Sequence, residues 1–215
     1  RFMLRKNVCE IMLDTTGEGL HKRGYRRNAM EAPIRETLAA TIADLGRVRR
    51  DSLVEDPFCG SGTLLIEAAQ KAMNIAPGLK RRFAAERYSF VPAAVWAEQR
   101  QKALAESKLD VGFEAFGYDI DPAAVALAGV EKRCHFEVAD VADFAAKQEA
   151  IVLTNPPYGE RMSTIEGAAK LARTLGRQME ANPCAGVYAI TADMDFEAHY
   201  GKRANKRRKM YNGMI

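Results

Sequence analysis

A chain of 215 residues, 47% hydrophobic and 28% charged, can bury one sizeable core with a small appendage and has the composition of an ordinary globular protein. No apolar run approaches the roughly 20 residues of a spanning helix and no signal peptide is visible, so no membrane partner is expected and a cytoplasmic location is. The net charge of +4 is modest, but the last fifteen residues carry Lys202, Arg203, Lys206, Arg207, Arg208 and Lys209 with no acid.

A second basic cluster is Lys22, Arg23, Arg26 and Arg27. Both clusters suit contacts with a phosphate backbone, and equally a solvated surface with a basic tail. Cys9, Cys59, Cys134 and Cys184 are far apart, with no Cys-x-x-Cys pair and no nearby histidine pair. That argues against a zinc site and for free thiols. The chain begins at Arg1 and not at methionine, so it reads as an excerpt of a longer protein.

In chain order, residues 8–13 read as a short strand and 17–28 as a polar, glycine-punctuated loop. Residues 32–45 place Ile34, Leu38, Ile42 and Leu45 on one helical face, with Pro33 in the first turn. A strand over 52–55 ends at Asp56. Residues 63–73 form a helix with Leu64, Ile66 and Ala68 inward, stopped by Pro77 and Gly78. Residues 80–90 look like a basic, aromatic insertion, and 92–107 a helix carrying Trp96. Further strands are expected at 113–118, 135–139, 150–154 and 185–191, a long helix at 164–181, and the start of a last strand at 209–215. Between Asp119 and His135 only residues 122–128 remain for a crossover helix. That is short against a typical eleven or twelve, and it reads as residues missing between Ala128 and Gly129.

Strands alternating with helices, several of them apolar runs, give the α/β class: a doubly wound, mostly parallel sheet with helices on both faces.

The segment Asp56-Pro57-Phe58-Cys59-Gly60-Ser61-Gly62-Thr63 joins a strand to a helix. Gly60 and Gly62 allow a sharp bend and close approach of a ligand, and the helix start offers N–H groups to an anion. A dinucleotide fingerprint would need a third glycine where Leu65 stands, and a phosphate loop would need a lysine. Asp56 would repel a pyrophosphate but suits an ammonium. S-adenosylmethionine carries an ammonium, a carboxylate and a sulfonium, and no phosphate. Asp119 ends the next strand, where an acid accepts from ribose hydroxyls, and Ile120 can lie on the adenine face. Asp121 reads as a helix N-cap before Pro122. Asp140, followed by Val141, ends the third strand, where it can accept from the adenine amino group or stand as an ordinary strand-end acid.

Asn155-Pro156-Pro157-Tyr158 follows an apolar strand, and two prolines lock a stiff turn there. The amino nitrogen of a nucleobase is a poor nucleophile because its lone pair is delocalised into the ring. Acceptors on both of its N–H groups, the Asn155 side-chain oxygen and the Pro156 carbonyl, favour a more sp3-like nitrogen aimed at the sulfonium methyl. Tyr158 can stack on the flipped base, a contact worth roughly 1–3 kcal/mol. Neither a strong general base nor a metal is required.

DPFCGSGTLLIEAA (56–69), GYDIDP (117–122) and NPPYGER (155–161), with LHKRGYRR (20–27), EAPIRETLAA (31–40) and KRRKMYNGMI (206–215), resemble the bacterial large-subunit ribosomal RNA guanine-N2 methyltransferases. The resemblance covers nearly the whole chain. It implies a Rossmann-like class I S-adenosylmethionine-dependent methyltransferase with a seven-stranded sheet over 31–215. Residues 1–30 would be a strand and linker after an upstream RNA-binding THUMP domain. The partner would be 23S ribosomal RNA, and cofactor contacts would fall on residues 56–63, Asp119, Ile120, Asp140 and Asn155. His21, Lys22, Arg23 and Tyr25, with Lys206, Arg207 and Arg208, are the candidate RNA contacts, although a flexible linker explains the first group as well. NPPY also serves DNA adenine, cytosine and protein glutamine chemistry, a transfer RNA guanine is a further alternative substrate, and a silent RNA-binding module is the remaining alternative.

Overall fold

The computed structural model describes residues 1–25, 34–119, 130, 132–158 and 164–211. The expected Pro33, Ile120, Asp121 and Pro122, the crossover helix with the gap after Ala128, and most of the last strand lie outside these residues.

Five parallel strands form the centre: β3 (Leu53–Asp56), β4 (Glu114–Asp119), β5 (Cys134–Val138), β6 (Ile151–Thr154) and β7 (Gly186–Ala189), in the order β5-β4-β3-β6-β7. Seven strands were expected, and five are present in this sheet among the described residues. Successive strands step outward from β3 to β5, and then the chain returns to the other side of β3 for β6 and β7. The crevice between the carboxyl ends of β3 and β6 is therefore the topological switch point of a doubly wound, Rossmann-like sheet.

Helices cover both faces. On one side α1 (Glu36–Leu45) and α2 (Thr63–Ala72) bury Leu38, Ile42, Leu65 and Ile66 against Val54, Phe113, Ala115 and Leu153. Leu45 is only partly buried, whereas Leu38 and Ile42 are in the core. Nine of the ten residues of α2 are buried, more than the single inward face expected, because the helix lies across the sheet beneath α1. On the other side α4 (Ile165–Ala181) packs Leu175 and Met179 on Val152 and Phe144. Thr164 caps α4 by accepting from the Gly167 N–H at 3.1 Å. A short helix that sequence reasoning missed, α5 (Phe196–Tyr200), packs on α4.

The expected first strand is half of a hairpin. β1 (Phe2–Arg5) pairs antiparallel with β2 (Val8–Ile11), and Lys6 and Asn7 both take positive φ, as a two-residue hairpin turn requires. Phe2, Met3 and Leu4 run apolar without alternation, and the turn lacks a glycine, so the sequence hid it.

The basic, aromatic insertion is an anchor. The buried Arg81 donates to the carbonyls of Gly19 at 2.9 Å, Thr16 at 3.2 Å and Glu18 at 2.6 Å. Tyr88 donates to the Asp14 carbonyl at 2.7 Å. The third helix, α3 (Ala93–Ala105), buries none of its residues; it holds this unit through Arg100, which donates to Leu79 and Arg81 carbonyls, and through Trp96 stacked on Phe83. Arg81→Ala removes the buried guanidinium that ties three lead-in carbonyls to the insertion. It should lower stability by about 2–4 kcal/mol and open residues 14–25 to proteolysis, checked by thermal melting and limited digestion. An unchanged melting curve would contradict this role.

Candidate active site

The residues 56–63 loop leaves the carboxyl end of the central strand. Asp56 is 1% exposed. One of its oxygens accepts from the Phe58 N–H at 3.0 Å. The other is buried without a well-formed hydrogen bond, as is the neighbouring Thr154 hydroxyl. Burial pushes the Asp56 carboxyl up to about 7, against the Thr154 hydroxyl and the Phe58 N–H, which favour its ionised form, and with the nearby Asp119 charge adding to the rise. A buried acid in this state would be stabilised by a cation brought to it.

Asp119, at the end of β4, accepts from the Gly60 N–H at 2.9 Å, and the Cys59 N–H donates to the Tyr118 carbonyl at 3.2 Å. The loop is thus stitched to the neighbouring strand end. The Gly62 N–H closes the bend onto the Cys59 carbonyl at 2.7 Å. Gly60 and Gly62 have φ of 50° and 71°, the left-handed region that favours glycine. A Cβ at Gly62 would lie 2.9 Å from the Phe136 ring, whereas at Gly60 it would meet nothing within 4 Å among the described residues. The space over Gly60 is therefore open to a ligand. No side chain caps α2, whose start points into the same space with the positive end of its dipole. Ser61 and Thr63 hydroxyls pair at 3.1 Å at that entrance. Pro57 is fully buried, and Phe58 packs toward the α4 side.

Asp140 lies two residues beyond β5. It is exposed and accepts from the Ala142 N–H at 2.8 Å, capping a short 3-10 turn (Val141–Asp143) whose Val141 is buried. That capping job is enough to explain its type, while its second oxygen has no described partner.

At the end of β6, Asn155 is half-buried and Pro156 fully buried; Pro157 is partly covered and Tyr158 is 39% exposed. The Ile190 N–H donates to the Thr154 carbonyl at 3.0 Å, which ties this corner to β7. Among the described residues, neither the Asn155 side chain nor the Pro156 carbonyl is engaged in a hydrogen bond. Both acceptors are free for a ligand, next to the loop that carries Asp56. β3 and β6 are paired neighbours in the sheet, so the two motifs share one rim.

The candidate RNA contacts divide. Arg23 donates to Leu20 O at 3.0 Å and pairs with the buried Glu67 at 3.4 Å, and the buried Tyr25 hydroxyl donates to the same carboxylate at 2.9 Å. These two side chains fix the lead-in loop on α2 and do not present themselves to solvent. The cause is Glu67: a carboxylate buried in a helix needs partners, and they come from the lead-in. Lys22 is exposed beside Glu18, and His21 is half-buried. Arg207 pairs with Glu197 through two contacts of 2.5 Å, while Lys206 and Arg208 stay exposed.

Thr154 and Glu67 were missed as site-forming residues. Their signal was a polar residue inside an otherwise apolar run. All four cysteines are free thiols. Among the described residues no cluster could hold a metal ion, and no helix is long and apolar enough to cross a membrane.

Residues 23–215 match the RMKL-like methyltransferase domain. The chain is 37% identical over 220 residues to a Bacillus subtilis protein provisionally named RNA methyltransferase YpsC, covering 99% of this chain and 57% of that protein. It is 38% identical over 225 residues to the ribosomal RNA large subunit methyltransferase K/L of Shewanella baltica, covering 98% of this chain and 32% of that enzyme. The solved structure of SMU.472, provisionally described as a methyltransferase and complexed with SAH, superposes with a TM-score of 0.88 at 37% identity, over 99% of this chain and 58% of that one. The chain thus spans at most about half to three-fifths of the relatives it matches. By fold, motif and extent of match, it belongs to the RMKL-like methyltransferase domain family.

Proposed function

We propose that the chain transfers a methyl group from S-adenosylmethionine to the exocyclic N2 amino group of a guanine in 23S ribosomal RNA. The observation that carries this reading is the meeting, at one switch point, of the Asp56–Gly62 bend with the unengaged Asn155 and Pro156 acceptors. When bound, S-adenosylmethionine supplies an electrophilic methyl carbon. The residues present fit it: an orphaned carboxylate oxygen on Asp56 for its ammonium, the uncapped start of α2 for its carboxylate, and open space over Gly60. Asp119 is placed for the ribose hydroxyls, although its Oδ2 already holds Gly60.

Asn155 and Pro156 accept the two N–H groups of the target amine, pointing its lone pair at the methyl. The N–C bond forms as the S–C bond breaks, and the proton leaves the methylated nitrogen to water. Tyr158, exposed at the rim, offers a face for the base. Positioning and oriented dipoles supply the rate. Guanine N2 lies on the minor-groove edge, so single-stranded or loop RNA is the fitting target. Support for ribosomal RNA comes from the name of the Shewanella relative and from the sequence resemblance. In this reading residues 1–30 lead in from an upstream RNA-binding domain, and Lys206 and Arg208 contact the backbone.

The test uses the full-length protein and labelled methyl donor against ribosomal RNA, transfer RNA, duplex DNA and a release factor. Label in ribosomal RNA, recovered as N2-methylguanosine by mass spectrometry and absent from cells lacking the gene, is expected. Label confined to DNA adenine, cytosine or protein glutamine would overturn the substrate.

A further inference from the structure

The amino edge of the sheet, opposite the catalytic rim, carries an open groove of about 600 Å³ lined by Arg49, Arg50, Lys71, Asn74 and Lys108, with Asp51 as its one acid. Its backbone is fixed. The Arg49 N–H donates to Ser52 Oγ at 2.9 Å, and the Lys108 N–H donates to the Met73 carbonyl at 2.7 Å, so the turn before β3 and the segment before β4 are held around the end of α2. Asn74 adopts a φ of 53° and donates its amide to the Glu106 carbonyl at 3.0 Å. The side chains of Arg49, Arg50 and Lys108 are exposed and make no ion pair among the described residues, whereas Lys71 is paired with Asp44.

Cations at this edge have a simpler use, because α1 and α2 end here and each helix end carries about half a negative charge. Lys71, in the last turn of α2, already serves that purpose. Arg49, Arg50 and Lys108 exceed it, opposed within the groove only by Asp51. No aromatic residue lines the groove, so it offers bases no stacking platform. Its chemistry matches the phosphodiester backbone.

We infer that this groove is a second RNA-backbone site, which holds a phosphate run of the same substrate about 13 Å of strand length away from the catalytic rim. The inference rests on RNA being the substrate. A structured RNA that reaches both edges would be gripped at two places, and only the rim would do chemistry.

The test compares the full-length protein with its Arg49→Ala, Arg50→Ala, Lys108→Ala triple variant on deproteinised ribosomal RNA across a salt series. The expected result is a KM raised roughly tenfold and a dependence of log affinity on log salt that is shallower by about 2, since each lost phosphate contact removes somewhat under one unit of slope. kcat, affinity for S-adenosylmethionine and melting temperature should be unchanged. Unchanged KM and salt slope would overturn the inference, and so would a loss confined to melting temperature, which would assign the cations to the helix ends. A wild-type protein that methylates DNA or protein but not RNA would overturn the substrate reading and this one together.

Discussion

Asn155→Ala should slow methyl transfer by about 10²–10³-fold, the usual cost of deleting one oriented hydrogen-bond partner of a transition state, with binding of S-adenosylmethionine nearly unchanged. Asn155 sits in the stiff corner formed by Pro156 and Pro157, and its amide has no partner among the described residues. Its removal therefore breaks no structural hydrogen bond to a described residue. Within the proposed chemistry the lost oxygen is one of only two acceptors that draw the amine lone pair out of the ring. Asn155→Asp keeps an acceptor and should retain more activity than the alanine variant. Single-turnover kinetics with the methyl donor prebound separates chemistry from binding. A fully active Asn155→Ala would remove the corner from the mechanism.

Affinity for S-adenosylmethionine should strengthen as pH rises from about 5.5 to 7, by up to roughly tenfold per unit. Its cause is the Asp56 carboxyl, which burial pushes up to about 7; only its ionised form attracts an ammonium, and an α-amino group stays protonated across that range. The same shift acts on folding in the opposite sense. Between the ordinary aspartate value of 3.8 and about 7 the folded chain binds more protons than the unfolded one. The contribution of Asp56 to the stability of the ligand-free chain is therefore greatest at acid pH and is lost as pH rises toward 7, by at most roughly 4 kcal/mol. Asp56→Asn should stabilise the ligand-free chain at pH 8, weaken cofactor binding and flatten its pH profile. Calorimetric titration and thermal melting at several pH values read both effects. A variant with wild-type affinity and the same pH slope would show that Asp56 does not face the cofactor.

Strand ends and bends were readable from sequence because they are local. An acid closing an apolar run, glycines with no side chain to place, and paired prolines each constrain their own few residues. That local reading located Asp56, Asp119 and Asn155 on one rim once a parallel sheet was accepted. What escaped it was set at a distance. Arg23 and Tyr25 look like exposed RNA contacts until Glu67, more than forty residues away, is seen to be buried and to need them. Arg81 reads as part of a basic surface patch, yet it is buried under three carbonyls of the lead-in. β1 was hidden because a hairpin turn of Lys6 and Asn7 carries no glycine signal, and α5 because five residues are too few for a period to show. Asp140 was expected to close a strand but lies two residues beyond β5, where one of its oxygens serves a local cap that sequence cannot distinguish from a ligand contact.

A crystal structure of the full-length protein with S-adenosylmethionine tests the core of this account most directly. The ammonium should lie toward Asp56 and the carboxylate at the start of α2, with the methyl group facing Asn155 and Pro156 across a space that admits an amine nitrogen about 3–3.5 Å from the methyl carbon. A donor bound at the amino edge, or with its methyl turned away from Asn155 and Pro156, would contradict it.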